Sequence, residues 1–150
     1  MKNIIFVCHG NICRSVAMQW IFNDLISKYG VSEKFNVLSR ATSLEEIGNP
    51  IYPPMRRELI HEDIPFGEHR AQRISQEDYD WADYIFYMDH ENLWGLNRLL
   101  KDDKNKFLPV SIWTEGIDDI DDPWYSGEYH IVVEQLKRCA EDIVAHLLNN

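Results

Sequence analysis

The chain has 150 residues, 45% of them apolar and 27% charged, which is the size and balance of one ordinary folded domain over residues 1–150 with no room for a large disordered region. A formal net charge of -10 excludes a broad electrostatic grip on nucleic acid or on an anionic membrane, so any anion site must be local. Three cysteines form no disulfide scaffold, no apolar stretch approaches the ~20 residues of a membrane span, and Ile4 to Val7 is too short for a secretory segment, so a cytoplasmic protein with free thiols is expected.

In chain order, Asn3 to Val7 is a continuous apolar run, the pattern of a strand buried on both faces of a parallel sheet. From Ser15 the period changes: Met18, Ile21, Phe22, Leu25 and Tyr29 recur at helical spacing, with Ser15 as a cap, Lys28 in the last turn and Gly30 beyond it. Phe35 to Leu38 reads as a second strand, and Gly48-Asn49-Pro50 as a break. Met55, Leu59 and Ile60 suggest a short helix, and Ser75 with Asp78 three residues on resembles a capping box for one more turn. Tyr84 to Met88 is a third strand, Leu93, Leu96 and Leu100 mark the helix after it, and Phe107 to Val110 is a short fourth strand. Beyond the acidic and aromatic loop "TEGIDDIDDPWYSGEY", a helix from about Glu128 to Leu148 turns Val132, Leu136, Cys139, Ile143 and Leu147 to one side. Such alternation predicts an α/β fold, an open four-stranded parallel sheet with helices on both faces, whose ligands bind at the carboxyl ends of the strands.

The stretch "FVCHGNICRSVAM" leaves the first strand at that end. Cys8 and Cys13 with His9 alone are poor support for zinc, which wants four ligands. A disulfide in a reducing compartment would be redox-active rather than structural, and two buried small apolar residues are the plain alternative. The residues between them favour another role. With a strand ending at Cys8 and a helix starting some seven residues later, the loop amides can converge at the positive end of the helix. Gly10 and Asn11 are residue types that accept a positive φ, and Arg14 supplies a permanently charged planar fork suited to two phosphate oxygens. A thiol above such a cradle should act as a nucleophilic thiolate at neutral pH, with Ser15 adding a hydroxyl hydrogen bond to it or to the loop. The loop lacks G-x-x-x-x-G-K-[ST], so it is not of the ATP-binding type.

C-x5-R between a strand and a helix is the arrangement of the cysteine phosphatases, and "VCHGNICRS" resembles the signature V-C-x-G-N-I-C-R-S of the low-molecular-weight protein tyrosine phosphatase family. The resemblance extends over about residues 3–148. It implies a phosphate-binding loop of Cys8, His9, Gly10, Asn11, Ile12, Cys13 and Arg14, with Cys8 as nucleophile, Arg14 as clamp and Asp122 of "DDPWY" as general acid; Pro123 would stiffen that loop. It also implies that Ser39 supports Asn11, that Asp89 stands at a strand end, and that His69 is a structural histidine. The activity implied is hydrolysis of phosphotyrosine on protein substrates through a phosphocysteine, with no metal or other cofactor and with inorganic phosphate or vanadate as inhibitors.

Departures from the pattern fall at Val16, where proline is usual, at Gln19, where a glutamate often partners the histidine, and at Glu45, where an apolar wall is common. Glu45, Trp124 and Tyr125 are expected at the substrate rim, and Glu45 should disfavour acidic peptides, an expectation that equal rates on matched acidic and basic phosphopeptides would contradict. Cys13 is either a packed small residue or, as favoured here, a redox guard forming a reversible disulfide with Cys8. Three alternatives remain beside the phosphotyrosine reading. In the phosphoarginine phosphatase branch that the chain also resembles, the residue two before the arginine is a threonine, where this chain has the apolar Ile12, which favours an aryl phosphate. An arsenate reductase needs resolving cysteines, and only Cys139 on an apolar helix face is left. An inactive phosphate-binding module is at odds with the presence of nucleophile, clamp and acid together. The five histidines other than His69 show no ligand spacing with a nearby carboxylate and read as surface or core-edge residues.

Overall fold

A computed structural model describes residues 1–149. Four strands, β1 (Lys2–Cys8), β2 (Phe35–Ala41), β3 (Tyr84–Tyr87) and β4 (Phe107–Pro109), pair in parallel in the order β2-β1-β3-β4. Helices α1 (Arg14–Lys28), α2 (Pro53–His61), α3 (Gln76–Trp81), α4 (His90–Leu99), α5 (Pro123–Ser126) and α6 (Tyr129–Leu148) connect or follow them. The strand order reverses at β1, so the carboxyl end of β1 opens at the switch point, where such sheets bind ligands.

Side chains alternate along β1 to serve two cores. Ile4, Phe6 and Cys8 face the larger one with α1, α2 and α6, where Phe6 packs against Phe22 and Phe86 with ring centroids 5.5 and 5.7 Å apart. Ile5 and Val7 face the smaller one with Tyr79, Leu96 and Leu100. Burial on both sides is why β1 reads as an unbroken apolar run rather than an alternating one.

Several local expectations are refined. Ser75 and Asp78 form the anticipated capping box of α3. Ser15 does not cap α1: the helix starts at Arg14 with Cys13 at the cap position, and the Ser15 hydroxyl turns to Cys8 instead. The 3-10 turn Ser32–Lys34 and the single turn α5 went unread because neither is long enough to show a period. β2 continues through Arg40 and Ala41 beyond its apolar stretch because backbone pairing to β1 continues to Cys8. No helix among the described residues is long and apolar enough to cross a membrane.

Candidate active site

The polypeptide between β1 and α1 wraps the helix N-terminus at the floor of a pocket of about 320 Å³. Cys8, His9, Gly10, Ile12, Cys13 and Arg14 line it. Asn11 is fully buried behind the loop in the left-handed region at φ 58°. Its Oδ1 accepts from Gln72 N (3.1 Å), its carbonyl accepts from His69 Nε2 (2.6 Å), and its Nδ2 donates to Ser15 Oγ (2.8 Å). Cys8 Sγ lies 3.0 Å from the same hydroxyl and as a thiol donates to it; with the sulfur ionised the hydroxyl proton turns to the sulfur, because the Asn11 amide hydrogen keeps a lone pair of Ser15 Oγ occupied. Ser15 N lies 3.4 Å from the same sulfur. A relay therefore runs from the Gln72 amide through Asn11 and Ser15 to the sulfur, and each link donates toward the place where negative charge would sit.

Two sequence expectations are corrected here. Ser39 does not support Asn11: its hydroxyl donates to Gln19 Oε1 (2.7 Å), and Asn11 is held by Ser15, Gln72 and His69. Gln19 is accordingly engaged with Ser39. Gly10 does not use positive φ; it is small because a Cβ there would lie 3.2 Å from the side chain of Glu46.

Arg14 is 3% exposed and fixed at several points. Nη1 donates to Asp89 Oδ2 (2.6 Å) and to the Ile120 carbonyl (2.7 Å), and Nη2 stands 3.8 Å from Asp122 Oδ2. Burial works against the guanidinium charge, but Cys8, Asp89 and Asp122 outweigh it and hold the group above its ordinary value. Asp89 is itself fixed as the N-cap of α4, its Oδ1 accepting from Asn92 N (2.9 Å). A capping carboxylate has a second oxygen to spare, and here it aims the clamp.

Asp122 caps α5, with Oδ1 accepting from Trp124 N (3.0 Å), which leaves Oδ2 on the Arg14 side of the pocket. The loop carrying it is tied to the sheet end by Ile120 N donating to the Met88 carbonyl (2.8 Å). Trp124, Tyr125 and Glu45 line the mouth, with Glu45 Oε2 3.0 Å from His9 Nε2. Two further wall residues, Glu46 and Tyr52, escaped sequence reasoning. Tyr52 faces Trp124 with centroids 5.0 Å apart, and its N–H donates to the Ile12 carbonyl (2.8 Å). Only the aromatic next to Pro53-Pro54 hinted at it.

Burial pushes the Cys13 thiol up, with Cys8 adding in the same direction, so Cys13 stays protonated at neutral pH. All three cysteines are free. Among the histidines read as surface or core-edge residues, His130 is exposed as expected and yet flanked by carboxylates. His130 Nδ1 is 3.4 and 3.3 Å from Glu58 and Glu62, because α2 and α6 bring together groups far apart in sequence. Lys137 pairs with the same Glu62, making this an ion-pair junction between the two helices.

Burial lowers the His69 pKa, with Arg40 adding to the effect against the opposing bond to Asn11. The unfolded chain therefore binds this proton more readily, and the linked stability is present above the ordinary histidine value and lost as pH falls below it. Wild type should lose more stability between pH 7.5 and 5.0 than His69→Gln, read as urea midpoints; equal losses would contradict this.

Residues 3–150 match the family described as low molecular weight phosphotyrosine protein phosphatase. The chain is 34% identical over 151 residues to the low molecular weight protein-tyrosine-phosphatase YfkJ of Bacillus subtilis, covering 98% of this chain and 96% of the relative. It is 38% identical over 148 residues to the human low molecular weight phosphotyrosine protein phosphatase, covering 92% and 90%. The crystal structure of YfkJ superposes with a TM-score of 0.94 at 32% identity over 99% and 96% of the two chains. A protein tyrosine phosphatase from Entamoeba histolytica, solved with Hepes in its active site, superposes at 0.91 with 25% identity over 99% and 98%.

Proposed function

The chain belongs to the low molecular weight phosphotyrosine protein phosphatase family, and from that premise we propose that it hydrolyses phosphotyrosine on protein substrates through a phosphocysteine at Cys8, without a metal. One observation carries the reading: Cys8, Arg14 and Asp122 line a single pocket, with Asp122 Oδ2 3.8 Å from the guanidinium that sits beside the sulfur's loop.

In the first step the Cys8 sulfur attacks phosphorus in line. The S–P bond forms as the P–O bond to the aryl group breaks, and protonated Asp122 gives its proton to the departing phenol oxygen. Arg14 and the loop amides hold the equatorial oxygens and their charge. Water then attacks phosphorus while Asp122 takes its proton, the S–P bond breaks, and phosphate leaves with the thiolate restored. Cys8 is 3% exposed and lines the pocket whose mouth Trp124 and Tyr125 flank, which favours a phosphate carried on a long flat ring over one on a short serine side chain. Ile12, Tyr52 and Trp124 supply apolar walls for that ring, which favours an aryl phosphate over phosphoarginine.

Cys13 lines the same pocket. As the redox guard it would condense with a Cys8 sulfenic acid formed by peroxide, releasing water and giving the disulfide; sulfinic Cys8 beside free Cys13 after mild peroxide would contradict that role. A nucleophilic thiol beside a second thiol works only where thiols stay reduced, which supports a cytoplasmic setting.

Hydrolysis of p-nitrophenyl phosphate tests the reading. Activity should persist in EDTA and be suppressed by vanadate, an analogue of the five-coordinate phosphorus, and competitively by inorganic phosphate. A requirement for divalent metal, or indifference to vanadate, would overturn it.

A further inference from the structure

A second groove of about 720 Å³ opens beside the phosphate pocket, walled by Trp94, Gly95, Arg98 and Leu99 of α4 and by Thr42 and Ser43 just beyond β2. His9 lines both cavities, so one side chain forms the wall between them. The floor is held by the phosphate loop itself: Thr42 N donates to the Cys8 carbonyl (3.0 Å), and Ser43 N (3.1 Å) and Oγ (3.0 Å) both donate to the His9 carbonyl. Gly95 packs so tightly on Thr42 that a Cβ would lie 3.0 Å from it, which brings α4 against the floor. Apolar surface is left facing outward: Trp94 is 64% exposed and Leu99 36%, with the Arg98 guanidinium 4.7 Å over the indole ring. Tryptophan and arginine are the residues most enriched where binding energy concentrates.

We propose that this groove is a substrate-recognition site that receives an apolar side chain of the phosphorylated polypeptide, two to four residues from the phosphotyrosine. The proposal rests on the phosphotyrosine reading of the Cys8 pocket and adds a sequence preference to it. The occupant is the substrate's own chain because the groove is continuous with the catalytic pocket across His9 and the lengths agree. His90 opens α4 where it lines a cavity with Arg14 and Asp122. From there, at ~1.5 Å per residue, Trp94 and Arg98 stand about 6 and 12 Å further along the helix. An extended chain covers that span in about two to four residues. The other routes out of the mouth pass Glu45 and Glu46 on one side and Asp119 and Asp121 on another. Those carboxylates disfavour an apolar side chain even though Trp124 and Tyr125 stand at the same mouth, whereas the α4 groove sets Trp94 and Leu99 together beside a single carboxylate, Glu91.

A phosphotyrosine peptide series in a Gly/Ser background, with one leucine placed at each of positions two to four on either side, tests the proposal. At one or more positions the leucine should raise kcat/KM about tenfold, mainly through KM, as partial burial of one leucine allows. Trp94→Ala should remove that gain and Trp94→Phe retain it, while p-nitrophenyl phosphate, which ends at the mouth, is hydrolysed equally by all three proteins. No gain at any position, or a gain that survives in Trp94→Ala, would overturn the groove assignment. Trp94-dependent self-association with unchanged peptide kinetics would overturn it in favour of a second copy of the chain. Wild type inactive on p-nitrophenyl phosphate as well as on every peptide would overturn the phosphatase reading, and this one with it.

Discussion

Cys8→Ser is expected to fold and to bind inorganic phosphate much as wild type does, yet to hydrolyse aryl phosphates more than about 10³-fold more slowly. The side chain is buried among apolar neighbours and within 3.0 Å of Ser15 Oγ, and an oxygen of similar size keeps that contact. Arg14 remains anchored by Asp89 and the Ile120 carbonyl, and Asn11 by Gln72 and His69, so the cradle persists without its nucleophile. What is lost is the anionic sulfur. A serine hydroxyl at that point has no general base to take its proton, because the relay from Gln72 through Asn11 and Ser15 only donates. Phosphate binding measured beside turnover separates loss of chemistry from loss of fold. A Cys8→Ser protein with more than a few per cent of wild-type turnover would remove the sulfur from the mechanism.

Asp122→Asn is expected to lower kcat on unactivated aryl phosphates by about 10² to 10⁴. Asparagine retains an Oδ1 to cap α5 through Trp124 N, so the loop should keep its place, and the change falls on Oδ2, which can no longer carry a proton to the leaving oxygen. The cost should shrink sharply with p-nitrophenyl phosphate, whose leaving group departs as an anion without help. Equal losses on both substrates would make Asp122 a structural residue, and full activity on phenyl phosphate would shift the acid to another group, Asp121 first.

Much of this site is visible in one dimension because it is local. The proposed phosphate cradle falls within seven consecutive residues, Cys8 to Arg14, and the Asp122-Pro123 pair announces a stiff acidic turn. The fold is similarly legible where burial leaves a plain pattern, an unbroken apolar run in β1 and a helical period in α6. Three kinds of feature were not. Side-chain partnerships that depend on register misled: Ser39 reaches Gln19 rather than Asn11. Steric reasons for glycine are invisible without the neighbour, and at Gly10 that neighbour is Glu46, thirty-six positions on. Wall residues from distant segments, Tyr52 and Glu46, have no spacing to reveal them. Asp89 stands between these cases. Its Asp-x-x-Asn pattern is a capping box of an uncommon kind, and its second function, aiming Arg14, exists only because β3 lies beside β1 and carries α4 to the same end of the sheet.

Rapid acid quench of Asp122→Ala with p-nitrophenyl phosphate, whose leaving group needs no proton for the first step, followed by mass-spectrometric mapping of the trapped phosphate, tests the covalent phosphocysteine at Cys8 most directly. Slowed attack of water should let the intermediate accumulate, with the added phosphoryl group found on Cys8. Phosphate found on Cys13 or Ser15, or turnover with no phosphoryl-enzyme at any quench time, would contradict the account.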